Sequence, residues 1–232
     1  MRPVLNLGVR KLTVLSAACA IGACLGGLRP APGMAAQAHA ASGQVRQVDP
    51  RHAPPIPLKN LHTGELLNLR MFDDAGQLRD EALTELRGFL RCVRTGNDHP
   101  IHWRLTTILV ALAAHFPGKT MTVVSGYRDP RVRTSSAHRS NHTRGRAIDL
   151  RIEGVSNRAL RDLVRRSFEG VGIGYYPNSS FVHIDIRERS AQWIDFAGPG
   201  QAACYSKTVR ADLDSGTAER LTYIEAKRRG CK

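Results

Sequence analysis

From Arg146 to Ile152 hydrophobic and polar residues alternate with a period of two, which puts Ala147, Asp149 and Arg151 on one face of a strand and Ile148, Leu150 and Ile152 on the other. Phe181 to Ile186 repeats the pattern: His183 and Asp185 share a face opposite Val182, Ile184 and Ile186. In both runs an ionisable side chain interrupts an aliphatic strand on the same phase. Met121–Ser125 reads as a further strand, and Thr63 to Leu69 as a turn followed by one, with Asp73 to Gly76 as the next turn. Elsewhere the period lengthens. Leu83, Leu86, Phe89, Leu90 and Val93 predict an amphipathic helix from Glu81 to about Arg94. A more apolar helix is expected from about His102 to Phe116, ended by Pro117-Gly118. Ser156 is placed to cap a third from Asn157 to Phe168, with Leu160, Leu163 and Val164 turned inward, and Ala218 to Arg229 reads as a short basic helix stopped by Gly230.

The ends of the chain read differently. Residues 1–40 carry four bases and no acid, and Leu12 to Leu28 is apolar and small, the make-up of an export signal rather than of a membrane span. Small residues at Ala36-Gln37-Ala38 and Ala38-His39-Ala40 offer cleavage points, and Ile21-Gly22-Ala23-Cys24 is a weaker lipoprotein-type alternative. Membrane association through the signal or a lipidated Cys24 therefore stays open. Residues 41–61, with four prolines and no sustained period, read as an extended linker, 62–200 as the folded domain, and 201–232 as a basic tail with a short helix. Of the three cysteines left after an export signal, Cys204 and Cys231 flank the tail and are the natural pair in an oxidising compartment, which leaves Cys92 in its helix. No Cys-x-x-Cys pair supports a cysteine metal site.

Charge narrows the partners. The chain has 34 Lys and Arg against 20 Asp and Glu, and without the four bases of the first forty residues the excess is ten positive charges. This suits an anionic polymer or an envelope surface. Nucleic acid is disfavoured, because the bases are scattered, no nucleic-acid motif occurs and the chain carries an export signal.

The chemistry gathers between Ser140 and Asp149. Thr143-Arg144-Gly145 makes a turn that folds His142 back over the strand bearing Asp149, and His183 lies on a similar strand further on. If the two strands are neighbours, His142, Asp149 and His183 form a two-His, one-carboxylate set with a fourth position open, as at a catalytic rather than a structural zinc. His99, His102 and His115 read as surface or packing residues, and His138, in a serine-rich loop, is not expected to be a ligand.

Three motifs in order carry a resemblance: Ser125-Gly126-Tyr127-Arg128; Ser140-x-His142-x-x-Gly145-x-Ala147-x-Asp149; and Gly172-x-Gly174-Tyr175-Tyr176-Pro177 leading into Phe181-Val182-His183-Ile184-Asp185. The chain resembles the zinc murein endopeptidases of the murein endopeptidase K type, relatives of the D-alanyl-D-alanine carboxypeptidases and dipeptidases, over roughly His62 to Trp193. The resemblance implies an α+β fold, a small antiparallel sheet with flanking helices of the hedgehog/DD-peptidase-like zinc type. It implies one zinc ion per chain on His142, Asp149 and His183, with Arg128 steadying the charge on the attacked carbonyl oxygen. Distant relatives carry a general base two or three residues before the last ligand. Here Ser180 and Phe181 hold those positions, which leaves Asp185 as base or as a partner of the ligands. Ser140, Tyr175 and Tyr176 are expected at the substrate, with Trp193 beside them. The implied activity is hydrolysis of peptide cross-links in peptidoglycan, in the periplasm or cell envelope. The alternative is a wall-binding or scaffold domain that keeps the zinc fold without turnover. Oligomeric state is not legible.

Overall fold

A computed structural model describes residues 44–132 and 140–232. The proposed signal, Cys24 and His138 lie outside the described residues. Seven strands form one sheet: β1 (Ile56–Asn60), β2 (Leu66–Leu69), β3 (Met121–Ser125), β4 (Ala147–Ile152), β5 (Val171–Tyr176), β6 (Phe181–Ile186) and β7 (Ala191–Ile194), in the order β2-β1-β3-β4-β6-β5-β7. The α+β class holds, but the sheet is mixed rather than antiparallel, since β1 runs parallel to β3 and β5 to β7. The central trio β3, β4 and β6 is antiparallel.

Among the described residues five α-helices accompany the sheet: α1 (Asp80–Phe89), α2 (Trp103–His115), α3 (Asn157–Ser167), α4 (Val209–Asp214) and α5 (Tyr223–Arg228). The aliphatic phase of β4 and β6, Ile148, Leu150, Ile152, Val182, Ile184 and Ile186, belongs to one hydrophobic core with Leu105, Leu109 and Leu112 of α2 and Leu160, Leu163 and Val164 of α3. Each fully buried side chain of this size contributes about 1.5–3 kcal/mol, so the register of β4 and β6 is strongly fixed: a one-residue slip would turn three aliphatic side chains out and the ionisable ones in. Ser156 caps α3, its hydroxyl accepting from the Ala159 N–H.

Three expectations need correction. Residues 56–60, within the stretch read as linker, form β1, and Ile56 and Leu58 are fully buried; Pro54, Pro55 and Pro57 hid a two-residue alternation. Val45, further upstream, is buried too, its N–H donating to Ser167 Oγ. The first helix stops at Phe89 instead of Arg94, because Leu90 C=O turns away to accept from Tyr127 N–H at 2.7 Å, and Val93 is left half exposed.

The C-terminal residues are not a loose tail. Cys204 and Cys231 are disulfide-bonded across 27 residues, and the buried Arg161 of α3 pairs with Glu219 at 3.0 Å. Replacing both cysteines by alanine is expected to cost about 3–4 kcal/mol on the chain-entropy model, read as a lower denaturant midpoint under non-reducing conditions. An unchanged midpoint would show that side-chain packing alone holds this segment.

Candidate metal centre

The register of the sheet builds the site. Ser125 is opposite Asp149, Asp149 opposite His183, His183 opposite Gly174, and Gly174 opposite Trp193, so one row of side chains crosses five strands. The next row holds Ala147, Asp185, Gly172 and Ala191. A bulge in β3 between Val123 and Ser125 brings Ser125 into line with Asp149, a local device common beside active sites. His142 enters from a single 3-10 turn, Asn141–Arg144, begun by the Ser140 hydroxyl and closed by Gly145 in the left-handed region at φ 61°.

Three ligand atoms converge. His183 Nδ1 is 2.7 Å from Asp149 Oδ1 and 3.1 Å from His142 Nε2, and the latter two are 3.3 Å apart. Bonds of 2.0–2.1 Å from a tetrahedral ion imply edges of about 3.3 Å, so this triangle needs little expansion to hold one. The three residues are 1%, 2% and 7% exposed for His142, Asp149 and His183. Such burial of two imidazoles and a carboxylate is costly unless each is partnered, and among the described residues this is the one such cluster.

The atoms behind the triangle decide which nitrogen faces it. His142 Nδ1 is 2.7 Å from the Gly126 carbonyl, which can only accept, so Nδ1 carries the hydrogen and Nε2 offers a lone pair. His183 Nε2 is 2.9 Å from Asp185 Oδ2, which leaves Nδ1 for the triangle. Asp149 Oδ2 accepts from Arg128 Nη2 at 2.5 Å, while Oδ1 faces the histidines. In the metal-free protein burial alone would lower the basicity of His183, but the Asp149 and Asp185 carboxylates outweigh it and lift the pKa to about 9. Burial pushes His142 the other way, below its ordinary value. Burial would raise Asp149, yet the two imidazoles hold it well below the usual carboxylate range.

Asp185 is not placed as a base. It is 1% exposed, lies behind the His183 ring, and accepts from Arg187 Nε at 2.6 Å and Nη2 at 2.8 Å as well as from His183. Both of its oxygens are occupied, so it can orient the imidazole but has no free edge toward a substrate.

Tyr175 is a second correction. It sits on the aliphatic phase of β5, 4% exposed, with the Arg161 guanidinium 4.6 Å from its ring centre. The alternation of a strand sends Tyr175 to the core, whereas its neighbours Gly174 and Tyr176 face the other way. The Tyr176 hydroxyl accepts from Trp193 Nε1 at 3.0 Å, and the Trp193 ring lies 5.1 Å from that of His183. The two glycines of β5 make this possible. A Cβ on Gly174 would fall 2.6 Å from the Trp193 ring, and one on Gly172 would collide with both Asp185 Oδ1 and Arg187 Nε.

Arg187 and the Gly126 carbonyl escaped the sequence reading. Arg187 follows the His183-x-Asp185 strand on the same phase, which was a usable signal. The carbonyl left none beyond the need for a glycine: a Cβ there would lie 2.5 Å from Leu90 O.

A cleft of about 610 Å³ opens on this centre. Of the three candidate ligands Asp149 lines it, beside Arg128, Ser125, Ser140, Thr143 and Phe181, and His62 with Arg91 to Arg94 complete the lining. Ser140 lines the cleft, and its hydroxyl accepts from His142 N–H at 3.3 Å. His99, His102 and His115 are elsewhere: His99 stacks on Tyr127, His102 begins α2, and His115 packs on Phe116.

A mixed sheet that gathers two buried imidazoles and a carboxylate beside a cleft, each held from behind, defines a metal-binding protein of the two-His, one-carboxylate class. The model of the family described as peptidoglycan L,D-endopeptidase MepK matches residues 47–193. The peptidoglycan L,D-endopeptidase MepK of Escherichia coli K12 is 36% identical over 138 residues, which cover 56% of this chain and 75% of that protein. A probable peptidoglycan L,D-endopeptidase MepK of Haemophilus influenzae is 29% identical over 139 residues, 56% of this chain and 74% of its own. No solved structure matches. The chain belongs to the MepK family of metal-dependent peptidases.

Proposed function

We propose that the protein is a zinc-dependent endopeptidase that opens peptide cross-links of peptidoglycan in the cell envelope, at bonds joining an L-centred acyl group to a D-centred amine. The observation that carries this reading is the buried triangle of His142 Nε2, Asp149 Oδ1 and His183 Nδ1, reached by a cleft at Asp149, in a chain similar to L,D-endopeptidases of peptidoglycan. Donors of this kind, two neutral imidazoles and a carboxylate, suit zinc and leave a position open. Bound there, zinc would bring the pKa of a coordinated water to about 7 and polarise the scissile carbonyl.

The chain's own groups do the rest. Arg128, half exposed and tied by Nε to Ser125 Oγ at 2.9 Å, presents a fixed positive charge beside the reacting carbonyl. Asp185 and Arg187 keep His183 in one tautomer and one orientation. The excess of positive charge draws the protein to an anionic wall. Peptidoglycan dimers linked through L,D bonds, incubated with the metal-loaded protein, should yield monomers that together weigh one water more than the dimer by mass spectrometry. Intact dimers beside a fully loaded protein would favour a scaffold that binds wall without cutting it.

Asp185→Asn removes the charge that polarises His183 Nε2–H and should weaken metal binding about 10- to 100-fold, measured by competition with a chromophoric chelator; unchanged affinity would separate Asp185 from the centre. Metal must displace the proton that His183 holds up to about pH 9, so apparent affinity should climb about tenfold per pH unit from 7 and level off near 9. For the metal-free protein the sign is opposite. The raised pKa stabilises the fold fully below about 6.5 and that contribution fades as pH rises through about 9. An affinity that levelled off already near pH 6.5 would show that the two carboxylates do not act on His183.

A further inference from the structure

Beyond the metal, the cleft has a second chemical character. Its lining includes Arg91 and Arg94, which follow α1, and His62, which follows β1, on elements other than those that carry the candidate ligands. The acids in the lining are Asp129 and Asp149, each 2% exposed. Both are already answered: Asp149 by the histidines and Arg128, Asp129 by Thr95, Asn97 and Arg131. Arg94 is exposed and enters no ion pair among the described residues. Arg91 donates to Glu65 at 2.9 Å and to the Gly88 carbonyl at 2.8 Å, but both partners of the ion pair are a third or more exposed, and such a surface pair is held only weakly. The charge open to an incoming ligand is therefore positive, on guanidinium groups that suit carboxylates through paired N–H donors. Val93 and Val124 set apolar surface among these bases.

We propose that Arg94, with Arg91, forms a carboxylate subsite of the cleft: it takes a free carboxylate of the peptide substrate, and so selects free-acid over amidated cross-links. This rests on the reading of the protein as a peptidase. The volume of about 610 Å³ is that of a site for a whole small molecule, room for more than the residue at the ligands. An amide in the subsite would forfeit the charge-assisted bonds to the guanidinium groups. Each exposed guanidinium–carboxylate pair is worth no more than about fivefold in affinity, on the same scale as the Arg91–Glu65 pair, so the two together correspond to about tenfold.

The test uses two cross-linked peptide dimers that differ only in carrying free carboxylates or primary amides. Binding to the full, metal-free chain is measured by calorimetry at fixed salt, and kcat and KM are measured on the metal-loaded chain. The wild-type protein should bind the free acid about tenfold more tightly. Arg94→Ala should cut that preference to threefold or less, and Arg91→Ala with Arg94→Ala should abolish it. The loss should fall on KM and be several-fold greater for the free-acid dimer than for the amidated one. Arg210→Ala, which removes an exposed base outside the cleft, should change nothing. Equal affinity for the two dimers, or a preference that survives in the double variant, overturns the subsite even if hydrolysis proceeds. A preference that depends on Arg94 without any hydrolysis keeps the subsite and overturns the peptidase reading instead.

Discussion

His183→Ala should lose metal and hydrolysis together: occupancy falls from about one ion per chain to near zero, and cleavage of cross-linked dimers falls on the order of a thousandfold or more. The size of the effect follows from position. His183 is the centre of the row from Ser125 to Trp193 and touches both other ligand atoms. Its removal leaves Asp149 and His142 as two donors and strands the Asp185–Arg187 pair without the imidazole it orients. Metal content by atomic absorption, measured on the same preparation as the digest, separates the roles. A variant that keeps its metal and loses cleavage would make His183 a catalytic group rather than a ligand.

Gly145→Ala should be the most damaging of the glycine substitutions, lowering stability by about 2–5 kcal/mol and displacing His142. Two costs add. The backbone at φ 61° charges a side chain about 1–2 kcal/mol, and the new Cβ collides with the Pro100 carbonyl, which the chain cannot easily move. Gly118 provides the control, with φ 72° but open space around it, so Gly118→Ala should show the first cost alone. Urea midpoints of the two variants, with unchanged slopes, give the comparison. Equal midpoints would mean that the loop carrying Pro100 yields, and that His142 is held by Gly126 and Ser140 instead.

The centre was legible because β4 and β6 each carry an ionisable residue on the wrong phase for an aliphatic strand. Alternation fixes which way Asp149 and His183 point, whatever else the sheet does. The supporting groups were less so. Asp185 has the right phase to face the site, but phase does not show that Arg187 closes over it and removes it from reach of substrate. Tyr175 and Tyr176 look equivalent in composition, and only strict counting from Gly174 sends one to the core and the other to Trp193. The strand at 56–60 was hidden by Pro54, Pro55 and Pro57, whose turn preference masks burial set by contacts with β2 and β3, more than sixty residues away in the case of β3. The mixed sheet has the same origin, since parallel pairing of β1 with β3 and of β5 with β7 depends on how distant segments meet, and no short pattern encodes it.

The sharpest measurement is anomalous scattering from crystals of the zinc-loaded chain, collected on both sides of the zinc edge. One peak at about 2.0–2.2 Å from His142 Nε2, Asp149 Oδ1 and His183 Nδ1, with the fourth direction open to the cleft, is the predicted result. A peak bound elsewhere, or none at those three atoms in a protein that still cuts its substrate, would contradict the account at its root.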